Sequence, residues 1–206
     1  MPQPAFSKER VEALADGIFA VAMTLLVIEL KLPERSTVLS QWDLIVSVAK
    51  LRPQFIAWTI SFFVLAIFWF THHRQFQYVR IVDVKLLWLN ILYLSFVSLM
   101  PFSSALAGEY SRMLFSQIIY SGNITMLAIG GMLTNRYVFR HPALWGVPVT
   151  PGFYRASFVR SAGLIVVAVV AVGIAMAIPG AGNVAFMLMI PISIFSRRVE
   201  RKAVNA

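Results

Sequence analysis

The chain has 206 residues, of which 59% are apolar and 13% are charged, and its mean hydropathy is +0.75. Because soluble domains carry about 25% charged residues, the composition excludes a soluble enzyme or a free DNA-binding domain and predicts a polytopic helical membrane protein. In such a protein the net charge of +9 is typical of basic cytoplasmic loops and of contact with membrane lipid, not of nucleic-acid binding. The chain has no cysteine, which excludes disulfides and thiolate metal sites.

The stretches without charged side chains predict six membrane-spanning helices, since each crossing takes about 20 apolar residues. A Pro-Gly-Ala-Gly-Asn turn at 179–183 divides the longest of these stretches, 161–196, into two segments. The last segment is short and contains Pro191, so a tilted or partly interfacial helix is also compatible with it. The expected helices cover approximately 10–32, 50–73, 85–107, 112–135, 158–178 and 184–198, and they form a single domain over residues 1–206.

The distribution of Lys and Arg predicts the orientation of these helices, because cytoplasmic loops are enriched in both residue types. With the N-terminus inside and six crossings, thirteen of the eighteen Lys and Arg residues fall on the inner side. Five crossings would move the basic C-terminal group of Arg197, Arg198, Arg201 and Lys202 to the outer side. We therefore expect an integral membrane protein with both termini in the cytoplasm.

The first segment differs from the others because its uncharged core is short. Asp16 and Glu29 bracket twelve uncharged residues, which span about 18 Å at about 1.5 Å per residue, whereas the hydrocarbon layer is about 30 Å thick. Charged groups at membrane depth usually face protein or a water-filled cavity. The pattern favours an inner position for this helix, although a tilted helix with both carboxylates among the lipid headgroups would produce the same pattern.

Helical periodicity, at about 100° per residue, places five residues of this segment on one face. That face carries Gly17, Val21, Thr24, Leu25 and Ile28, and Leu26 lies on the opposite side. If copies of the face meet on a symmetry axis, they form an apolar constriction with one ring of hydroxyl groups, and such constrictions can gate ion flow by losing water. Ordinary packing of membrane helices also produces an apolar stripe, so periodicity alone leaves both interpretations open.

Several sequence motifs resemble one known family. Residues 10–17 (RVEALADG) resemble the Arg-x-x-x-Phe-Ser-Asp signature that opens the first helix of the lysosomal potassium channel family, transmembrane protein 175, and residues 18–33 continue like its prokaryotic members. Similar motifs are Trp-Phe-Thr-His-His-Arg at 69–74, Trp-Leu-Asn at 88–90 and Pro-Phe at 101–102. The resemblance covers the first half of the chain well, and the last three helices match mainly in number and length.

The resemblance implies a homotetramer of six-helix subunits in a prokaryotic inner membrane, with a central pore lined by the first helix and with potassium favoured over sodium. The family lacks the usual potassium filter, and this chain likewise has no Thr-Val-Gly-Tyr-Gly run. By position, the implied constriction falls on Val21, Leu25 and Ile28, and the hydroxyl group linked to selectivity falls on Thr24. The resemblance implies no cofactor beyond permeant potassium; the implied partners are further copies of the chain and membrane lipid, with no nucleic acid.

The resemblance also implies an intracellular packing network. Its candidate members are Arg10, Asp16, Trp69, His72, His73 and Asn90. Histidine titrates near neutral pH, so a pH sensor is an alternative, as is simple capping of the second helix by its two histidines. The chain departs from the family signature at Leu14 and Ala15, which replace Phe and Ser, and Ala15 removes a hydroxyl group from this region.

These observations predict a passive potassium-selective channel, which is not an enzyme. A proton-coupled secondary transporter or a proton-conducting channel is the alternative, because Asp16, Glu29 and His72 or His73 could carry protons. Transporters often contain hydrophobic segments broken at corresponding places in two halves, and the sequence has no such pair. A membrane-embedded enzyme would need a cluster of catalytic groups, and three histidines scattered along the chain do not form one.

Overall fold

The computed structural model describes residues 6–31, 33, 38–189 and 192, and most of these lie in helices. The α-helices are α1 (Lys8–Ile28), α2 (Gln41–Lys50), α3 (Arg52–Phe76), α4 (Val84–Ser98), α5 (Met100–Glu109), α6 (Leu114–Arg140) and α7 (Pro151–Ala177). Short 3-10 helices cover Pro142–Leu144 and Gly182–Leu188. The helical architecture therefore agrees with the class that the composition predicts.

Polar side chains determine where several of the helices begin. At the start of α1 the Ser7 hydroxyl oxygen accepts a hydrogen bond from the Arg10 backbone N–H. At the start of α2, Ser40 and Asp43 form a capping box, in which each side chain accepts a hydrogen bond from the backbone of the other. These caps provide partners for backbone N–H groups that have none inside the helix.

Several helical segments differ from the bounds expected from the sequence. The expected helix 10–32 corresponds to α1, which ends at residue 28, and the expected helix 112–135 corresponds to α6, which continues to residue 140. The predicted helix 50–73 corresponds to α3, which continues to residue 76, and the amphipathic α2 that precedes it was not predicted. The predicted helix 158–178 corresponds to α7, which begins seven residues earlier. The reason is local, because the Thr150 hydroxyl accepts a hydrogen bond from the Phe153 N–H and Pro151 suits the first turn of a helix.

The last expected helix, 184–198, falls only partly within the described residues. Its first part lies in the 3-10 helix Gly182–Leu188, which overlaps the last two residues of the predicted turn at 179–183. Beyond this element the structure describes only Met189 and Ile192, so the remainder of the expected helix lies outside the described residues.

The helices α4 and α5 form one membrane-length unit, Val84–Glu109, with an interruption near its middle. Pro101 has no N–H to donate to the carbonyl four residues earlier, so the helical hydrogen-bond ladder is broken there. The hydroxyl groups of Ser95 and Ser98 donate to backbone carbonyls of the preceding turn, those of Leu92 and Ser95. Both features are recognised causes of helix bending.

Four described helices are long and apolar enough to cross a membrane. They are Lys8–Ile28, Arg52–Phe76, Val84–Glu109 and Pro151–Ala177. The helix α6 has 27 residues, about 40 Å at about 1.5 Å each, but its polar residues lower its hydropathy. Those polar side chains are buried, and they are Ser116, Gln117, Ser121, Asn123, Thr134 and Asn135. The polar face of α6 therefore packs inside the subunit, where its polar groups contact protein, whereas Phe115, Ile118 and Met126 on the same helix are exposed.

The larger of two hydrophobic clusters lies at the centre of the bundle and contains residues of α1 and of α3 to α7. Phe19 and Leu26 of α1 pack in it with Leu65 of α3 and with Tyr120 and Ile124 of α6, and all five are fully enclosed. Within a membrane, such contacts stabilise a helix bundle through close packing more than through removal of apolar surface from water. One side of α1 is thereby anchored in the subunit core.

At the end of the bundle where α1 begins, backbone pairing joins three separate segments. Phe6 pairs with Val82, and Val79 pairs with Trp145, which are the β-bridges found within the described ranges. The second hydrophobic cluster surrounds these bridges, and it includes Val11, Phe76, Val79, Val82, Leu144 and Phe153. This cluster connects the start of α1 to the linkers that follow α3 and α6.

Candidate functional site

The helix α1 has one buried face and one exposed face. The buried residues are Val11, Ala15, Phe19, Ala22 and Leu26. On the opposite face, Val21 is 56% exposed, Leu25 is 41% exposed and Ile28 is 67% exposed, whereas Leu26 is only 1% exposed. Thr24 is exposed as well. The four residues that the sequence analysis assigned to a constriction therefore share the face that a single chain leaves uncovered.

A groove runs along one edge of this exposed face. It encloses about 380 Å³ and is lined by Ala13, Leu14, Gly17, Ile18, Val21, Ala22 and Leu25 of α1 and by Ser98 of α4. The groove is open beside Gly17, because a Cβ atom added there would meet no atom within 4 Å. Apart from Ser98, the lining is apolar, so the groove suits a helix or a lipid chain better than it suits a polar ligand.

The Thr24 hydroxyl group is the polar feature of the exposed face of α1. Its Oγ1 lies 3.0 Å from the carbonyl oxygen of Ala20 and 2.9 Å from that of Val21, and it donates its proton to these acceptors. A hydroxyl group has a single proton but two lone pairs. Because the proton is directed to the helix backbone, the oxygen keeps acceptor capacity that a cation can use.

A hydrogen bond joins α1 to α3 near the middle of α1. The indole N–H of Trp69 donates to carboxylate oxygen Oδ1 of Asp16 over 2.8 Å. On the same helix face the rings of Trp69 and His73 stack, with centroids 6.0 Å apart and planes inclined by 22°. Asp16 is exposed and Trp69 is 39% exposed, so this contact lies at the surface of the subunit.

A second contact joins α3 to α4 and is buried. Nε2 of His72 and Oδ1 of Asn90 are 2.7 Å apart, at hydrogen-bond distance. The imidazole ring lies between aromatic side chains, with its centroid 4.4 Å from that of Phe76 and 5.7 Å from that of Tyr93. His72 is only 5% exposed, so the two adjacent histidines differ: His72 packs inside the bundle, and His73 stacks on the surface.

The structure thus brings five of the six candidate network residues into two separate contacts. Arg10 stands apart from both. It is exposed, its backbone N–H is bound to Ser7, and its side chain forms neither a hydrogen bond nor an ion pair with the described part of the chain.

A buried polar cluster between α3, α5 and α6 was missed by the sequence analysis. The Ser61 hydroxyl group lies 2.7 Å from that of Ser104 and 2.8 Å from that of Tyr120, which connects α3, α5 and α6. The amide Nδ2 of Asn123 donates to the Ser103 hydroxyl oxygen over 3.1 Å. The available signal was the density of Ser and amide residues in otherwise apolar segments, since membrane helices often associate through such groups.

Comparisons with known proteins identify the family. The family model described as endosomal/lysosomal potassium channel TMEM175 matches residues 10–101. A potassium channel of Streptomyces collinus is 39% identical over 103 residues, which are 50% of this chain and 48% of that protein. A potassium channel of Chryseobacterium sp. is 33% identical over 134 residues, which are 65% of this chain and 66% of that protein. The matches therefore cover about half to two thirds of the relatives' own lengths.

Solved structures extend the likeness over nearly the whole chain. The crystal structure of a lysosomal potassium-selective channel TMEM175 homolog from Chamaesiphon minutus has a TM-score of 0.76 and 28% identity, and the match covers 92% of this chain and 97% of that one. The potassium channel MtTMEM175, crystallised with a nanobody fusion protein, has a TM-score of 0.56 and 17% identity, which supports the fold alone. These matches confirm the resemblance seen in the motifs, and the chain belongs to the endosomal/lysosomal potassium channel TMEM175 family.

Proposed function

We propose that this protein is a passive potassium-selective channel whose pore is formed by the exposed face of α1 from several copies of the chain. The observation that carries the proposal is the division of α1 into two apolar faces, of which one is buried in the subunit and the other holds Val21, Thr24, Leu25 and Ile28. An uncovered apolar face with a single hydroxyl group is what a constriction on a symmetry axis requires. The bacterial relatives named as potassium channels support the same function.

In the proposed pore, the side chains of Val21, Leu25 and Ile28 form successive apolar rings. From the first to the last of these residues the helix rises by roughly 10 Å. Rings of this kind exclude water when they are narrow, so the closed pore does not conduct. An ion that enters an opened constriction loses part of its hydration shell, and potassium releases water at a lower cost than sodium does.

The ring of Thr24 hydroxyl groups supplies the polar contact in this constriction. Since each hydroxyl proton is bound to the carbonyl oxygens of Ala20 and Val21, the oxygen atoms can act as acceptors for the passing cation. Neutral hydroxyl oxygens are weak ligands, and a weak ligand field replaces the hydration of potassium more completely than that of sodium. The proposed selectivity therefore requires no carbonyl-lined filter.

The proposed assembly is a homotetramer of six-helix subunits in a prokaryotic inner membrane, with both termini in the cytoplasm. Support for the subunit fold comes from the Chamaesiphon minutus structure, which matches 92% of this chain, and support for the orientation comes from the excess of Lys and Arg on the proposed inner side. Reporter fusions after residue 182 and at residue 206 test the orientation. We expect an external reporter signal for the first fusion and a cytoplasmic signal for the second; an external C-terminus would contradict six crossings.

Proton conduction is the second candidate function. Relatives from mouse and human are named as endosomal/lysosomal proton channels, and they are 34% and 32% identical over 111 residues, which are 22% of each of those proteins. A water-filled conducting pore can pass protons along with potassium, so the two functions are compatible. The test must therefore measure both ions in one preparation.

The experiment is a flux assay with purified protein in liposomes, with separate dyes for potassium and for internal pH. We expect a potassium gradient to drive a current without any counter-substrate and a matched sodium gradient to drive much less. Equal fluxes of both cations would contradict potassium selectivity. With the charge compensated by a permeant anion such as thiocyanate, a potassium flux that still requires proton movement would instead indicate a coupled transporter.

A further inference from the structure

The helix α2 differs from the other described α-helices in how little it packs against its own chain. None of its ten residues is buried, whereas each of α1 and α3 to α7 has several buried residues. The capping box of Ser40 and Asp43 nevertheless defines its start. The proposed ion pathway does not use this helix, so its surface has no assigned partner.

The two faces of α2 have opposite chemistry. At about 100° per residue, one face is aliphatic and consists of Leu44, Ile45 and Val48, and the opposite face is polar and consists of Asp43, Ser47 and Lys50. Within the aliphatic arc, the polar residue is Gln41 in the first turn. The three aliphatic side chains are 46%, 50% and 42% exposed, whereas Asp43 and Ser47 are half-buried. The helix therefore directs its aliphatic face away from its own chain.

The linker between α1 and α2 lies on the polar side of α2. Pro33 of this linker lines a shallow groove together with Asp43, Ser47 and Lys50. The aliphatic residues Leu44, Ile45 and Val48 do not line it. The polar face is thus the side that the chain itself approaches, and the aliphatic face is the side left for another partner.

The junction with α3 determines where α2 lies relative to the membrane. Leu51 alone separates the two helices; its N–H donates to the carbonyl oxygen of Val48, and its carbonyl oxygen accepts from the N–H of Phe55, each over 3.0 Å. The helix α3 is long and apolar enough to cross a membrane. The ten residues of α2 extend for about 15 Å, which is half of the hydrocarbon thickness of about 30 Å. Because α2 is too short to cross, it lies where α3 enters the membrane.

The size and composition of the aliphatic face favour lipid over a protein partner. A stable protein interface buries about 800 Å² on each side, and three half-exposed aliphatic side chains provide far less. A lipid layer needs no minimum area, and it accepts an amphipathic helix that lies in the membrane surface. Trp42, which is 70% exposed, is located at the edge between the two faces. Tryptophan is enriched at membrane–water boundaries, where its ring contacts apolar groups and its N–H contacts polar ones.

We propose that α2 is an interfacial helix that binds the lipid surface at the membrane boundary. Leu44, Ile45 and Val48 lie among the upper parts of the acyl chains, and Trp42 lies at the level of the headgroups. The polar face points to water. Since Leu51 joins α2 directly to α3, this contact fixes the depth at which α3 enters the membrane. The proposal rests on the location of α1 and α3 in a membrane and is independent of the ion that the channel conducts.

Site-directed spin labelling tests the proposal, because the wild-type chain has no cysteine that would compete for the label. The single variants Ile45→Cys and Ser47→Cys are labelled with a nitroxide and reconstituted in liposomes. Power saturation then compares collisions with oxygen, which concentrates in lipid, and with a water-soluble nickel chelate. We expect the ratio of oxygen to nickel collisions to be several-fold higher at residue 45 than at residue 47, since these residues lie on opposite faces.

The pair Val48→Cys and Lys50→Cys repeats the comparison in the next turn, so the loss of one variant through misfolding leaves the test intact. Equal ratios on both faces, or the reverse order, would show an aliphatic face in water and would overturn the proposal. Exclusion of both reagents at residue 45, with line broadening that disappears on mixing with unlabelled protein, would show a second copy there and would also overturn it. Potassium flux is measured separately, so failure of the lipid contact and failure of the channel function are distinguishable.

Discussion

One face of α1 packs Phe19 and Leu26 into the subunit core, whereas the opposite face leaves Val21, Leu25 and Ile28 exposed. Both faces are apolar, so hydropathy alone does not distinguish them. The difference lies in what each face contacts: the first packs against α3, α4 and α5 of its own chain, and the second is available to other copies or to lipid. Substitutions on the buried face should therefore change stability, and substitutions on the exposed face should change ion conduction. Comparing the two tests the proposed pore.

The largest effect is expected on the buried face. Leu26→Asn removes an enclosed side chain and buries an amide without partners, which should destabilise the protein by about 3–5 kcal/mol. Thermal unfolding and gel filtration in detergent measure this loss, and Ile28→Asn on the exposed face is the matched control that should remain folded. A stable Leu26→Asn protein with altered ion preference would show that the two faces have been assigned in reverse.

The next effect is on conduction. Ile28→Asn would introduce one amide per copy into an apolar ring, which should allow water into the closed constriction and increase the leak. A barrier lowered by about 1.4 kcal/mol increases the rate about tenfold, and liposome flux at zero stimulus measures it. Ile28→Val keeps the ring apolar and serves as the control. An unchanged leak in Ile28→Asn would place this residue outside the constriction.

A smaller effect on stability is expected from the contact between α1 and α3. Asp16→Ala removes the acceptor of the Trp69 indole N–H, which should cost about 1–2 kcal/mol because the contact is at the surface and the lost bond involves a charged group. Asp16→Asn keeps an acceptor oxygen and should retain part of the stability. Identical unfolding temperatures for wild type and Asp16→Ala would mean that this hydrogen bond contributes nothing.

The smallest effect is expected from the hydroxyl ring. Thr24→Ala removes the oxygen that the proposal assigns to the passing cation, while the apolar rings remain. We expect current to persist and the preference for potassium over sodium to fall about threefold, which is less than about 1 kcal/mol. Reversal potentials under paired gradients measure the ratio, and Thr24→Ser, which keeps the hydroxyl group, should keep the preference.

The sequence was sufficient for the class and the family of this protein. Uncharged stretches of membrane length follow from composition, and the family motifs at 10–17 and 69–74 are each contiguous in the chain, so both signals are local. The helix α2 was missed because charges at Asp43 and Lys50 interrupt its apolar sequence, and the search used uninterrupted apolar runs. The residues proposed for the pore stay predictions until flux is measured.

The partners within the candidate network could not be predicted in the same way. Asp16 and Trp69 are 53 residues apart in the chain, and His72 and Asn90 are 18 apart. Which of the two histidines meets Asn90 depends on the rotation of α3 about its axis, because adjacent residues on a helix point about 100° apart. That rotation is set by packing across several helices, so the sequence left both histidines as candidates.

The sequence by itself determined the membrane class, the helical architecture and the grouping of Val21, Thr24, Leu25 and Ile28 on one face of α1, since hydropathy and helical periodicity depend on residues that are close in the chain. Only the tertiary structure decided that Leu26 lies in the core and that His72 is enclosed while His73 is not. These facts depend on contacts between helices that are distant in sequence. Such contacts are set by the packing of whole helix surfaces against one another, which no local stretch of sequence specifies.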